Sequence, residues 1–184
     1  MLHVLLAAII LAEPAQQLIS FNSVFPYSEE AQASPPAAGP PNVLIPDEGL
    51  RAIVTAMLRA SPTFRRQCAR IGRASQLHVV VTLAILPPGQ IPSAALTRIT
   101  RAPAGRVVAN VELGHLGDFV TLLAHEFEHI LEQLDEVDLA AMATRSDTGV
   151  RPLPLARAFE TERAIAVGRQ VAGEVLRRGG RREF

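Results

Sequence analysis

Two histidines and a glutamate near the middle of the chain have the spacing of a metal site with an adjacent base. The run DFVTLLAHEFEHILEQLD starts at Asp118 and contains no proline or glycine, so it predicts one continuous helix. At about 100° per residue, His125 and His129 lie one turn apart on the same face of that helix. Glu126 lies about 100° around the helix from His125. The two imidazoles can therefore converge on one ion, with a carboxylate beside it.

These residue types predict a zinc site that activates water. Two neutral imidazoles hold a divalent cation without neutralising it, so the cation keeps the charge that lowers the pKa of a water molecule. A carboxylate beside that water can accept its proton and pass it to a leaving amine. We therefore expect His125 and His129 to bind Zn2+, and Glu126 to act as a general base and not as a ligand.

The same helix carries an apolar stripe that predicts how it packs. The stripe falls between about 120° and 200° from His125 and consists of Phe119, Leu123, Phe127, Ile130 and Leu134. We expect the stripe to face the core and the two histidines to lie on a different face.

A catalytic zinc ion usually has three protein ligands, so one more is needed. Residues 154–176 predict a second helix, which follows a loop over about residues 143–154. On that helix Glu160 lies in a stripe of Ala156, Ala164, Val167 and Val171. A lone carboxylate in such a stripe is costly unless a cation compensates it.

Glu160 is therefore the expected third ligand. The alternatives are Glu162, Glu132 and an aspartate of the loop. Without a metal, the interpretation of Glu160 is a buried ion pair, for example with Arg157 or Arg163.

The composition does not indicate other classes of partner. The 18 basic and 18 acidic residues cancel, so neither nucleic acid nor an anionic membrane surface is expected. Cys68 is the only cysteine, which excludes an intrachain disulfide and a cysteine-based zinc site. The oligomeric state stays open.

The N-terminal quarter of the chain divides into two segments. The apolar run over residues 2–12 is too short to span a membrane as a helix but matches the core of a signal peptide, so residues 1–12 are a possible leader. A leader predicts a secreted or periplasmic protein; the alternative is a buried N-terminal element in a cytoplasmic one. Residues 13–46 are rich in proline and alanine and predict a linker.

The remaining residues, 47–184, predict one α+β domain. Asp47 can cap a helix that runs to about Ala60, and a second short helix starts at Pro62. Residues 77–86 and 107–113 have the β-branched, apolar patterns of strands.

At His125, Glu126, His129 and Glu160 the sequence resembles the zincin metallopeptidases, in particular the gluzincins, over about residues 107–173. In gluzincins an HExxH helix is followed by a glutamate ligand on a later helix. The resemblance implies a small antiparallel or mixed sheet packed on the HExxH helix, a second C-terminal ligand helix, and a peptide or protein substrate.

The resemblance also has implications for the surroundings of the site. Residues 107–113 occupy the place of the edge strand that binds extended substrate, and His115 follows them in the turn, where it could hydrogen-bond a substrate. Many gluzincins have a supporting aspartate four residues after the glutamate, where this chain has Ala164. Glu132, Asp135 and Asp138 are possible substitutes.

Two other functions fit the same residues. The first is a catalytically inactive zinc-binding scaffold, which a fourth protein ligand would favour. The second is an interaction domain without a metal, in which the histidine pair decorates the surface.

Overall fold

The computed structural model describes residues 7–11, 39–84, 95–102, 105–153 and 158–179. In these ranges the strands are β1 (Ala7–Leu11), β2 (Val43–Leu44), β3 (Leu77–Ala84), β4 (Ala95–Arg101), β5 (Val107–Gly114), β6 (Val150–Leu153) and β7 (Ala158–Thr161). The helices are α1 (Glu48–Ala60), α2 (Pro62–Arg73), α3 (Phe119–Leu134), α4 (Leu139–Ala143) and α5 (Glu162–Gly179). The combination of a small sheet with separate helices confirms the predicted α+β class.

Helices α1 and α2 are each capped by the side chain of the residue that precedes them. The Asp47 carboxylate accepts a hydrogen bond from the backbone N–H of Leu50, and the Ser61 hydroxyl accepts one from Phe64. Pro62 occupies the first position of α2, where the missing N–H has no helical partner to lose. Both predicted helices are confirmed.

A mixed sheet with the strand order β1-β4-β5-β3-β2 forms one layer of the fold. Strand β4 runs antiparallel to β5, and the other neighbouring strands are parallel. The two predicted strands are confirmed as β3 and β5, while β4 was not predicted. In β5, Ala109, Val111 and Leu113 are buried and Asn110 is exposed, as the alternating pattern indicates.

The expectation that residues 107–113 form a substrate-binding edge strand is wrong. Strand β5 is central, because Val111 pairs with Thr97 of β4 on one side and with Val81 of β3 on the other. Its backbone N–H and C=O groups are used within the sheet, so an extended peptide cannot add to it.

Helix α3 confirms the predicted continuous helix but is buried more completely than its apolar stripe suggests. Asp118 caps it by accepting hydrogen bonds from the N–H groups of Val120 and Thr121. Every residue from Thr121 to Glu132 is buried, because β4 and β5 pack on one side of the helix while α2 and α5 pack on others. The histidine pair therefore lies inside the protein and does not decorate its surface.

The C-terminal segment is not the single helix expected over residues 154–176. Residues 158–161 form β7, which pairs antiparallel with β6, and α5 starts only at Glu162. Glu160 lies on this strand, opposite Arg151, so the prediction of a ligand helix is wrong. Pairing with β6 satisfies the backbone of residues 158–161 without a helix. Residues 154–157, and with them Arg157, lie outside the described residues.

Regular structure also begins upstream of Asp47. Strand β2 pairs with β3, and the Asn42 side-chain amide donates to three backbone carbonyls where α2 ends and β3 begins, those of Ile71, Ala74 and Leu77. Residues 42–44 of the predicted linker are therefore tied into the fold.

Strand β1 lies within the predicted leader segment and pairs in parallel with β4. The other residues of the predicted leader and residues 13–38 of the linker lie outside the described residues, and the leader stays a prediction. Among the helices that the structure describes, none combines the length and the apolar character needed to cross a bilayer.

Candidate metal centre

Three buried side chains converge on one point beside α3. The Nε2 atoms of His125 and His129 are 3.0 Å apart, and Oε1 of Glu160 is 3.2 Å from the first and 3.7 Å from the second. Metal–ligand bonds of about 2.0–2.2 Å in a tetrahedral site place ligand atoms about 3.3–3.5 Å from each other. The three separations scatter around that value, so His125, His129 and Glu160 form a group that could hold a metal ion.

Two elements distant in sequence bring these ligand atoms together. Helix α3 sets the two histidines one turn apart, and β7 delivers Glu160 from the side. The helix that follows β7 approaches α3 closely at Gly168, where an added Cβ would lie 2.9 Å from the carbonyl oxygen of Thr121 and 3.3 Å from the Cβ of His125. A side chain at this position would therefore push α5 away from the metal-binding face of α3.

Glu132 contacts one of the candidate ligands and is not a member of the group of three. Its Oε2 lies 2.8 Å from Nδ1 of His129, and its Oε1 accepts a hydrogen bond from the Thr161 hydroxyl at 2.7 Å. With Nδ1 of His129 held in this way, the opposite ring nitrogen faces the cluster. Of the three carboxylates considered for this supporting role, Glu132 is the one in place: Asp135 pairs with Arg70 and Arg163, and Asp138 caps α4.

Glu126 lies next to the cluster with one oxygen anchored and one without a partner. Its Oε2 accepts a hydrogen bond of 2.5 Å from the Thr97 hydroxyl on β4. Its Oε1 is buried and has no hydrogen-bond partner among the described residues. Because the side chain is removed from water, burial raises the pKa of the Glu126 carboxyl above its ordinary value. A carboxyl group of this kind is suited to accept and return a proton.

The electrostatics of the cluster call for a cation. Glu126, Glu132 and Glu160 are all buried, and within the described residues none of them pairs with an arginine. Burial opposes the charge on Glu160, but hydrogen bonds and attraction from His125 and His129 outweigh it and lower the pKa of Glu160 to about 2. Oε2 of Glu160 is also buried, and it has no hydrogen-bond partner in the part of the chain that the structure describes. Unpaired buried carboxylate oxygens are costly, and a bound metal ion would compensate them.

His129 responds to the same carboxylates. Burial alone would lower the pKa of its imidazole, but hydrogen bonds to Glu132 and Glu160, with the charge of Glu126, raise it to about 10. In the metal-free chain the imidazole of His129 is therefore positively charged at neutral pH. A metal ion has to displace one of its two ring protons.

The other candidates from the sequence lie elsewhere. His115 is exposed in the turn after β5, and Glu162 is exposed in the first turn of α5. Arg163 pairs with Glu128 at 2.6 Å, so the expected alternative of a Glu160–Arg163 ion pair is not formed.

Sequence reasoning missed Thr97 and Thr161, the two hydroxyl donors of the site. Thr97 stands in the run ALTRITR, whose alternation of buried and less buried positions is that of a strand and could have indicated β4. Thr161 immediately precedes a helix, where threonine is a common cap. Its contact with Glu132, 29 residues away, has no signature in the sequence.

Comparisons with protein-family models, with curated proteins and with solved structures found no match to this chain.

Proposed function

We propose that the chain is a zinc-dependent hydrolase of the zincin type, acting on peptide bonds. One observation carries the proposal: the convergent His125, His129 and Glu160 atoms lie beside a buried glutamate, Glu126, that has one carboxylate oxygen free. A purely structural cluster does not require an oxygen without a hydrogen-bond partner, whereas a general base needs one to accept a proton.

The donor set fits zinc. Two imidazole nitrogens and one carboxylate oxygen are the ligands of several catalytic zinc sites, which keep the fourth position open. The same donors also occur in non-haem iron sites. The adjacent base favours hydrolysis at a zinc ion, because activation of water needs a proton acceptor at this place.

Each residue of the site has a separate role in the proposed reaction. A zinc ion held by His125, His129 and Glu160 would supply the positive charge that polarises a carbonyl group and makes water more acidic. Glu126 accepts the proton of the attacking water on its free Oε1 and returns it to the departing amine. Thr97 fixes the other oxygen of Glu126, so the carboxylate keeps one orientation while it gains and loses the proton. The substrate class, a peptide, comes from the family resemblance.

Metal analysis of purified protein, followed by hydrolysis assays, tests the proposal. We expect one zinc per chain in the parent and in Glu126→Gln, and little zinc in His125→Ala. His115→Ala is the matched control, because this histidine is exposed and outside the cluster. Turnover of a mixed peptide library should fall about 10²- to 10⁴-fold in Glu126→Gln. Equal zinc content in parent and His125→Ala would refute the metal centre, and full activity of Glu126→Gln would refute the base.

A catalytically inactive zinc-binding scaffold is the second candidate. The observation that favours it is burial, since His125, His129 and Glu160 expose only 1%, 0% and 5% of their surface. Zinc retained by the parent without hydrolysis of any peptide in the library would select this function.

A further inference from the structure

Thr161 donates hydrogen bonds to two of the three buried carboxylates of the cluster, those of Glu160 and Glu132. Its backbone N–H donates to Oε1 of Glu160 at 2.9 Å. Its hydroxyl donates to Oε1 of Glu132 at 2.7 Å, and the other oxygen of Glu132 contacts Nδ1 of His129. Thr161 thus contacts one predicted ligand, Glu160, directly. It acts on a second, His129, through the carboxylate of Glu132.

The direction of these hydrogen bonds follows from the donors present. The backbone N–H of Ala164 can only donate, and it donates to the Thr161 hydroxyl oxygen at 3.0 Å. The single hydroxyl hydrogen of Thr161 is then left for Glu132, whose ionised carboxylate can only accept. Glu132 in turn accepts from Nδ1–H of His129, so the ring proton that a metal ion displaces is the one on Nε2, and displacement leaves the electron pair on that nitrogen. That nitrogen is the one that points at the cluster.

The position of Thr161 adds to this orientation. It directly precedes α5, whose first N–H groups carry partial positive charge. The hydrogen bond from Ala164 polarises the Thr161 hydroxyl, which strengthens its donation to Glu132. Thr161 and Glu132 expose only 3% and 2% of their surface, so water does not replace these bonds.

We infer that Thr161 is a positioning residue for the metal centre, holding His129 through Glu132 in the form that binds a cation. This inference rests on the metal-binding part of the proposed function and not on turnover. The competing explanation is that Thr161 only caps α5, in which case its loss affects stability and leaves metal affinity alone.

Zinc affinity of the metal-free full-length chain, measured by competition with a chromophoric chelator, separates the two explanations. Thr161→Val keeps the backbone N–H to Glu160 and removes only the hydroxyl. We expect its zinc affinity to fall about tenfold or more, within the range of about 10- to 100-fold seen for residues that support metal ligands. Thr161→Ser keeps the hydroxyl and should bind zinc within about twofold of the parent.

Two further variants make the readout specific. Asp47→Ala removes the cap of α1 and no hydrogen bond of the cluster, so urea unfolding should show lost stability while zinc affinity stays unchanged. In a Glu132→Gln background, Thr161→Val should have little additional effect on zinc affinity, because the hydroxyl acts through Glu132. Circular dichroism of each variant verifies that it is folded.

The outcomes distinguish the inference from the proposed function. Parent-like zinc affinity in Thr161→Val overturns the inference and leaves the metal centre standing. Equal effects of Thr161→Val with and without Glu132→Gln also overturn it. A parent chain that binds no zinc overturns both the inference and the proposed function. If zinc binding depends on Thr161 but the chain has no hydrolytic activity, the inference is supported. Only the hydrolase function is then contradicted.

Discussion

Glu126 and Glu128 lie two residues apart on α3, and both carboxylates are buried, but their surroundings differ in kind. Glu128 accepts hydrogen bonds from Arg163 at 2.7 Å and from Gln67 at 2.8 Å, and the Arg163 guanidinium neutralises its charge. Glu126 accepts from the Thr97 hydroxyl on one oxygen, and the other oxygen has no hydrogen-bond partner among the described residues. On one side of the helix a buried carboxylate pairs with an arginine, whereas on the other side no arginine of the described residues pairs with it.

The difference indicates which buried polar group serves the fold and which serves chemistry. The Glu128–Arg163–Gln67 group, here called the paired cluster, ties α3 to α5 and α2, and Arg163 balances the charge of its carboxylate. The candidate metal centre contains three glutamates and two histidines, and no arginine of the described residues forms an ion pair with these glutamates. A group whose charges balance only when an ion is added is the better candidate for a binding site.

The largest expected effect concerns the candidate metal centre, whose affinity for zinc should depend strongly on pH. Because the pKa of His129 is raised to about 10, zinc displaces one proton from the metal-free chain throughout the neutral range. Apparent zinc affinity should therefore rise about tenfold per pH unit, or about a hundredfold from pH 6 to pH 8. Chelator competition at pH 6, 7 and 8 measures this slope, and an affinity independent of pH would show that no protonated histidine is displaced.

The next largest effect is expected when the paired cluster loses its cation. Arg163→Met leaves the buried Glu128 carboxylate uncompensated, and because the Arg163 side chain is 43% exposed, we expect a loss of about 1–3 kcal/mol in unfolding free energy. Urea unfolding measures the loss. Zinc affinity should stay within about twofold of the parent, since this arginine does not contact the ligands.

Arg145→Met is the matched control for that variant. Its ion pair with Asp147 is exposed at both ends, so the change should cost less than about 1 kcal/mol. If Arg163→Met instead lost zinc binding and kept its stability, the paired cluster and the metal centre would not be separate groups.

The smallest expected effect is a gain in stability when Glu126 is made neutral. Burial raises the pKa of Glu126 in the folded chain above its ordinary value of 4.5, so its contribution to stability is full below pH 4.5 and is lost as pH rises through the raised value. Glutamine does not titrate. The metal-free Glu126→Gln chain should therefore be more stable than the parent at pH 8, by about 1 kcal/mol, and the difference should shrink toward pH 4.5.

Urea unfolding of the metal-free parent and variant at several pH values tests this prediction. Glu136→Gln is the control, because that carboxylate is exposed and should give no such pH-dependent gain. A Glu126→Gln chain less stable than the parent at pH 8 would mean that the carboxylate contributes to the fold, as Glu128 does.

Local patterns in the sequence were sufficient for much of the framework. The caps Asp47, Ser61 and Asp118 and the apolar periodicities fix α1, α2 and α3 because helix formation depends on neighbours within one or two turns. Strands β3 and β5 were predictable for the same reason, since alternation of side chains is a local property. The short strand β4 lacked a strong apolar run, and without it the central place of β5 could not be deduced.

Glu160 shows how a sequence argument can select a residue that lies in the buried cluster but assign it to the wrong element. It was selected because its neighbours are apolar, which indicates burial in a strand as much as in a helix. The structure places it at a strand position within reach of both histidines, while Arg163, one of the ion-pair partners considered as the alternative to a metal, pairs with Glu128. The local sequence indicated that Glu160 is buried, but it did not indicate which side chains lie beside it.

By itself, the sequence determined the pair His125 and His129 on one helical face, with Glu126 beside it, because residues four apart on a helix must be neighbours. Only the tertiary structure decided which side chains complete the site: Glu160 from β7, Thr97 from β4 and Thr161 at the start of α5. These contacts join residues about 30 positions apart, and their formation depends on how the sheet and α5 pack against α3. The periodicity of a helix cannot encode such contacts. They depend on which distant segment of the chain packs beside the site and carries a matching side chain.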